Sequence, residues 1–263
     1  MRQQFAVTGP LSATTKLGSG RVTVEPAEPG SAWASVEPVD PQHEASVRLA
    51  EQASITLDGD ELRVDVPESG RLFRRGEVVV ALGLPGGSAL SVKGGVVDVS
   101  VRGGLSALSA KVGTGDVDVD EATDALAVKA GQTTVTIGTA GNVAVSTGQG
   151  SLRAERVGAT AFKTGQGDVQ LGRTDGAVAV KGGSVDLTVR EAGPGDIAFT
   201  TGSGSAAVGV AAGTTVELDL LSGSGDVRCE LPMESSAPSG GAALRLKLRT
   251  GSGDLRVAAS SPV

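Results

Sequence analysis

The chain has little of the chemistry on which most enzymes and metalloproteins rely. Its 263 residues include one cysteine, one histidine, one tryptophan, four phenylalanines and no tyrosine. A single cysteine excludes an intramolecular disulfide. A single histidine excludes a histidine-rich metal cage, and its predicted place on a surface helix argues against a Ser-His-Asp triad. We therefore interpret Cys229 as a small buried hydrophobe and His43 as a residue of a surface helix.

Positive charge and long apolar runs are also scarce. The formal net charge is −7, which argues against a nucleic-acid partner because phosphate-backbone binding needs a basic face. No apolar run reaches the roughly 18 residues of a transmembrane helix, and the first residues lack the apolar segment of a signal peptide. These absences predict a cytoplasmic protein without a transmembrane segment.

Glycine, in contrast, is abundant, and its 40 copies lie in a repeat. The phrase Gly-x-Gly-Asp, followed by alternating apolar residues, begins at Gly113, Gly165, Gly223 and Gly251, with looser copies from Gly131, Gly148, Gly182 and Gly202. Alignment on the first inward residue gives Val117, Val135, Leu152, Val169, Val185, Ala206, Val227 and Leu255. Self-similarity at such a period is typical of a solenoid.

Each repeat contains two short segments in which apolar and polar residues alternate, one before and one after the glycines. This pattern predicts strands with one buried and one solvent-exposed face. The predicted fold is all-β, a parallel β-solenoid (β-helix-like) of two-strand rungs, each of roughly 16–21 residues. The expected inward residues also include Val119, Ile137, Leu171, Leu187, Val257, Leu126, Val128, Val143, Val145, Phe162, Val178, Val180, Ile197 and Phe199.

The first 90 residues are less regular and are predicted to cap the solenoid. Asp40 as N-cap and Pro41 at the first helical position predict a short helix near 41–52. Asp-Gly between two alternating runs predicts a hairpin over 55–66, and the apolar run 78–85 predicts a buried strand. The predicted organisation is a cap over 1–90, repeats over 91–258, a loop insertion over 233–242 and a tail over 259–263.

The glycine phrases do not complete a ligand-binding motif. Calcium-binding glycine repeats run at nine residues with an aspartate in each, whereas aspartate is missing from half of the copies here. No phrase completes a dinucleotide or phosphate loop. The aspartates that follow the second glycine, Asp116, Asp168, Asp226 and Asp254, are expected to bond turn amides. We predict no catalytic residue, no metal ligand and no cofactor.

One local basic and aromatic cluster offers a candidate binding site. Arg71, Phe73, Arg74 and Arg75 lie in the stretch SGRLFRRG of an otherwise acidic chain. Arginine can contact anionic groups through two hydrogen bonds, so this loop is the predicted docking site for a partner. A solvated loop is the alternative interpretation.

The order of several segments resembles a known family. These are LGSGRVTV, VEPVDPQHEASVRLAEQ, the hairpin DGDELRVDVP and repeated TGxGDVxL phrases that end in LRTGSGDLRV. Together they resemble the bacterial β-strand-repeat family labelled "putative adhesin", a domain of unknown function common in actinobacteria. The resemblance implies a parallel β-solenoid and supplies no catalytic residues.

Two classes of function follow from these observations. The leading hypothesis is a non-catalytic β-solenoid that binds or scaffolds an unknown protein or polysaccharide. The alternative is a carbohydrate-active enzyme that uses exposed carboxylates, since parallel β-helices often act on polysaccharides. A third possibility, a regulatory partner of a membrane or transcription protein, stays open.

Overall fold

The structure, a computed structural model, describes residues 1–67, 76–231 and 243–260. Fifteen strands and one helix occur in these segments. They form two compact units, Met1–Thr134 and Val135–Val263. The predicted all-β fold with parallel, solenoid-like strand stacking is confirmed, whereas the predicted boundary at residue 90 stays a prediction.

The first unit is built from short strands followed by long ones that turn corners. Its strands are β1 Arg2–Ala6, β2 Ser12–Pro26, β3 Ser31–Pro38, β4 Ser54–Asp58, β5 Glu61–Asp65, β6 Val78–Leu84, β7 Ala89–Thr114 and the start of β8 Val117–Thr174. In β2 and β7 the buried and exposed residues alternate on either side of a glycine corner. Each long strand therefore supplies both arms of a rung.

Parallel pairing in the first unit follows the predicted repeat. Strand β2 pairs with β7, with Val22 opposite Val99, and β7 pairs with β8, with Val99 opposite Val117. The segment GSGRVTV, which begins at Gly18, is therefore also a full member of the array. Its apolar residues are buried because neighbouring rungs cover them on the inner side.

The irregular N-terminal part is largely antiparallel. Strand β1 pairs with β3, β3 with β6 and β4 with β5, all in antiparallel fashion. The β4–β5 hairpin confirms the prediction from Asp58-Gly59, where Gly59 takes φ +60°, a conformation that glycine tolerates best. Strand β6 is mostly buried, as its apolar run predicts.

Helix α1, Glu44–Gln52, begins later than the capping pattern predicts. Asp40 Oδ1 accepts a hydrogen bond from the amide of Gln42 at 2.8 Å, so it closes a turn before the helix. His43 is the N-cap residue without a capping side-chain bond. The predicted start near Asp40-Pro41 is wrong, because Asp40 bonds the amide of Gln42 and closes a turn that precedes the helix.

The second unit departs from simple sequential stacking. After the end of β8, its strands are β9 Val178–Ala192, β10 Gly195–Ser203, β11 Ala206–Val210, β12 Val216–Ser224, β13 Val227–Cys229, β14 Leu244–Ser252 and β15 Leu255–Ala259. The first arms follow the order β9, β10, β14, β12, and the second arms follow β9, β11, β15, β13. The last rung in sequence thus lies between two earlier rungs.

This order corrects two predictions of burial. Val227 was expected inside, but its side chain is 46% exposed, and Cys229 is half-buried where a buried residue was expected. Both lie on β13, which pairs with β15 alone among the described strands. A rung with a neighbour on one side only leaves its inward side chains partly uncovered.

The alignment of one repeat is also corrected. Val169 lies opposite Leu187, and Leu187 lies opposite Ala206. The structural spacings are therefore 18 (187 − 169) and 19 (206 − 187) residues, more even than the alignment through Val185 suggests. Val185 is still buried, but it lies at the corner opposite Gly167.

The remaining predicted inward residues are buried, and the core is narrow and aliphatic. Phe162 and Phe199 both lie opposite Val180, and both rings are fully buried. The two rings therefore fill the core on either side of Val180, where the other side chains are small and aliphatic.

Corner glycines are needed where successive rungs come closest. A Cβ atom on Gly113 would lie 2.7 Å from the carbonyl oxygen of Gly95, and one on Gly251 would lie 2.6 Å from that of Gly202. Threonines before the glycines brace the corners. The hydroxyl of Thr201 donates to the carbonyl of Ser203 at 2.7 Å, and that of Thr250 donates to the carbonyl of Ser252 at 3.0 Å. Glycine therefore sets the rung spacing, and threonine fixes the turn.

Candidate functional site

Aspartates at the corners hold one rung to the next. Asp116 Oδ1 accepts a hydrogen bond from the amide of Thr134 at 3.0 Å, and Asp254 Oδ1 accepts one from the amide of Asp226 at 2.9 Å. The predicted amide bonding is thus found at Asp116 and Asp254, but the amide belongs to the next rung rather than to the same turn. These carboxylates have a structural role.

Other exposed carboxylates pair with arginine. Arg102 donates to Asp120 at 2.8 Å and to Asp118 at 3.0 Å, and the hydrogen bond to Asp120 contributes most to raising the pKa of Arg102. Arg173 contacts Asp175 and Glu191, each at 2.9 Å. Such exposed pairs contribute little stability individually. Their carboxylates are engaged with a cation rather than aimed across a cleft at a substrate.

Lysines follow a different pattern and line up across the rungs of the first unit. Lys16 lies opposite Lys93, and Lys111 lies opposite Lys129. The rung that carries Lys93 lies next to the rung that carries Lys111, since the amide of Ser106 donates to Ser88 O at 2.9 Å. We call Lys16, Lys93, Lys111 and Lys129 the lysine ladder; successive members are about 4.8 Å apart at the backbone.

Three of the four ladder lysines form no ion pair with any described residue. Lys16 Nζ lies 3.5 Å from Asp65 Oδ1 on β5, and more than half of the lysine side chain is exposed. In the described part of the chain, no carboxylate lies within 4.0 Å of the ammonium groups of Lys93, Lys111 or Lys129. All four lysines are exposed. Like charges at adjacent positions repel, so the ladder presents uncompensated positive charge on an acidic protein.

A groove runs beside the lysine ladder. It has a volume of about 850 Å³ and is lined by Lys16, Lys93 and Lys111, together with residues of α1, β5 and the glycine corner. Gly95 and Gly113 lie two residues after their lysines, and both are exposed. Because glycine has no side chain, a ligand can approach the backbone closely at this corner. The exposed backbone of this corner lies beside the lysines that line the groove.

The cluster Arg71, Phe73, Arg74 and Arg75 lies outside the described residues, so its role as a binding site stays a prediction. His43 is half-buried at the start of α1, where its Nδ1 atom lies 3.0 Å from Ser46 Oγ. No three His, Cys, Asp or Glu side chains within the described segments are placed to hold a metal ion. In the same segments, no helix is both long and apolar enough to span a bilayer.

Our sequence interpretation did not include the lysine ladder, although a signal for it exists. A glycine stands two residues after a lysine at six positions: Lys16, Lys93, Lys111, Lys129, Lys163 and Lys181. Our interpretation considered the glycine phrases and the Arg71–Arg75 segment, but not the lysines that precede the glycines. A search for residue types recurring at a fixed distance from the glycines would have found it.

Similarity to known proteins assigns the family of this chain. Residues 44–261 match the family described as Toastrack DUF4097. The chain belongs to this family. This membership confirms the predicted relation to a domain family of unknown function, whereas an actinobacterial origin stays a prediction. No curated protein is significantly similar to the chain.

Several solved structures resemble this family member over nearly its whole length. A "putative adhesin" from Bacteroides fragilis is 13% identical with a TM-score of 0.31, covering 98% of this chain and 96% of that chain. One from Parabacteroides distasonis is 10% identical with a TM-score of 0.35, covering 97% and 96%. A "putative cell adhesion protein" from Clostridium sporogenes is 10% identical with a TM-score of 0.24, covering 98% of both chains. Each of these names refers to the solved structure and not to the present chain.

Proposed function

We propose that this protein is a non-catalytic binding module whose ligand-binding surface is the lysine ladder and its groove. The observation that carries the proposal is the row of exposed lysines, three of which have no carboxylate within reach among the described residues. Uncompensated like charges in register oppose folding. Such an arrangement is useful where an anionic ligand supplies the missing charge on binding.

The structure offers less support for the alternative, a carbohydrate-active enzyme. A glycosidase needs two carboxyl groups that face one another across the scissile bond. The outward carboxylates traced above instead bind backbone amides of the next rung, as Asp116 does, or pair with arginine, as Asp118 and Asp120 do. We therefore prefer binding without turnover.

Binding and turnover can be measured together on a panel of neutral, anionic and cationic polysaccharides. The intact chain should bind at least one anionic member and release neither new reducing ends nor unsaturated products. Sustained turnover that is abolished by a single Asp→Asn change would overturn the proposal in favour of the enzyme. Failure to bind any anionic member would also contradict it.

Two further parts of the proposal come from the sequence. The cluster Arg71–Arg75 is proposed as a second contact for an anionic partner, and the cytoplasm is proposed as the compartment. An Arg74→Ala/Arg75→Ala variant should fold normally and bind an anionic polysaccharide more weakly. Unchanged affinity would remove the arginines from the proposal, and fractionation of the source cells tests the compartment.

A further inference from the structure

The lysine ladder has a regular spacing that restricts its ligand more narrowly than charge alone. Its four members lie on four successive parallel rungs, so three intervals of about 4.8 Å span about 14 Å along the stacking direction. A ligand that neutralises every member must carry negative charges at a similar repeat along one line. This requirement favours a linear polymer over a compact anion.

We propose, building on the binding function above, that the lysine ladder binds a linear polyuronate: a polysaccharide with one carboxylate per sugar residue, lying across the rungs. One hexuronate residue is about as long as the distance between adjacent rungs. Successive carboxylates can therefore meet Lys16, Lys93, Lys111 and Lys129 in turn. Each contact is a charge-assisted hydrogen bond from an ammonium group.

The corner beside the ladder suits a sugar chain. Gly95 and Gly113 are exposed and lack side chains, so pyranose rings can lie against the backbone within the groove of about 850 Å³. The chain has no tyrosine and one tryptophan. The guanidinium carbon of Arg2 lies over the ring of Trp33, 4.4 Å from the centre of that ring. Recognition at the ladder therefore depends on charge and backbone contacts rather than on stacking with an aromatic ring.

Other polyanions fit the spacing less well. Duplex DNA carries about one charge per 1.7 Å of its axis, and adjacent phosphates in polyphosphate are also much closer together than adjacent rungs. Both would leave most of their charges unpaired at the ladder and exposed to a protein of net charge −7. A single phosphate group needs donors that converge on one point, whereas these lysines lie in a row.

The second unit supplies a matched control. Lys163 lies opposite Lys181, but the next strand has Thr200 at this position. Beyond it lies Arg249, which contacts Asp219 at 2.9 Å. Two lysines followed by a neutral residue cannot match four consecutive carboxylates. Removal of these two lysines changes the net charge of the protein as much as removal of two ladder lysines does.

The test measures binding of purified oligogalacturonates, about six residues long to exceed the span of the ladder, to the intact protein by calorimetry. Three proteins are compared: the unmodified chain, Lys93→Gln/Lys111→Gln and Lys163→Gln/Lys181→Gln. A maltohexaose, a polyphosphate and a single-stranded oligonucleotide serve as comparison ligands. Circular dichroism confirms that both variants fold.

We expect the unmodified chain to bind the uronate oligomer and to bind maltohexaose no better than background. The Lys93→Gln/Lys111→Gln variant should lose about tenfold in affinity, equivalent to about 1.4 kcal/mol, and the Lys163→Gln/Lys181→Gln variant less than about threefold. Affinity should fall as NaCl rises from about 0.05 to about 0.5 M, because salt screens exposed charges.

Equal losses in the two variants would overturn the assignment to the ladder, because net charge alone would then explain binding. Tighter binding of polyphosphate or the oligonucleotide than of the uronate would overturn the assignment of the ligand. In that case the proposed binding function would stand if the bound polymer is not degraded. Absence of binding to every anionic probe would contradict both proposals.

Discussion

Two rungs of the second unit contain nearly the same phrase but have different environments. GSGDLRV on β14–β15 and GSGDVRC on β12–β13 differ at two positions. Leu255 is fully buried, whereas Val227, at the same place in its phrase and directly opposite in the sheet, is 46% exposed. The repeat thus specifies the shape of a rung, and the number of neighbouring rungs decides how much of it is buried.

Strand pairing accounts for this difference. Strand β14 pairs with both β10 and β12, whereas β12 pairs with β14 alone among the described strands. Val216, Leu218 and Leu220 on β12 are only half-buried, although they alternate like their counterparts on β14. An apolar alternation predicts which face points inward, but it does not predict whether the inside is covered.

The largest expected contrast comes from placing a charge at the two inward positions. Leu255→Asp buries an unpaired carboxylate and removes a filled volume, which should cost at least about 4 kcal/mol of unfolding free energy. Val227→Asp should cost within about 1 kcal/mol because the side chain already contacts water. Chemical denaturation followed by circular dichroism measures both. Equal costs would contradict the view that β12–β13 lies at an open end.

A smaller contrast is expected from the corner glycines. A Cβ atom on Gly251 meets the carbonyl of Gly202 at 2.6 Å, and one on Gly223 meets that of Gly251 at 2.7 Å. Gly251→Ala should destabilise by about 1–3 kcal/mol because its rung is held on both sides. Gly223→Ala should cost less because the outer rung can shift away. Melting temperatures lowered equally by the two changes would show that the outer rung is held as firmly as the inner one.

The corner aspartates should give a still smaller difference. Asp254 holds the amide of Asp226 at 2.9 Å, so Asp254→Ala should cost about 0.5–1.5 kcal/mol. Within the described residues the carboxylate of Asp226 pairs with the exposed Arg228, at 2.8 Å, and Asp226→Ala should cost under about 0.5 kcal/mol. Hydrogen exchange at the amide of residue 226 provides a local check, because protection should fall only in the first variant.

The last contrast requires no mutation. Cys229 is the only cysteine in the chain and is half-buried on β13. A small thiol reagent should modify it in the folded protein without denaturant, since partial exposure permits reaction once the thiolate forms. Modification only after unfolding would show that the outer rung is covered in solution.

The sequence allowed most of the fold to be predicted because the repeat is short and its alternation is regular. The inward positions through Leu187 and the hairpin at Gly59 followed from periods of two and from turn chemistry. The order of the last rungs could not be predicted, since Val227 and Leu255 carry the same local signal. The lysine ladder was missed because each lysine is an ordinary surface residue until the register places it beside another.

The insertion of the final rung between two earlier ones has a consequence for biosynthesis. Ile197 on β10 pairs with Leu246, 49 residues later, while β12 lies beyond it. When β12 and β13 leave the ribosome, the segment that must separate them from β10 and β11 is still inside the exit tunnel. The nascent chain must therefore either leave β12 and β13 undocked until the last rung emerges, or dock them against β10 and β11 and release them later. A ribosome-stalled chain in which Leu231 is followed by a flexible linker long enough to fill the exit tunnel would reveal which of these occurs.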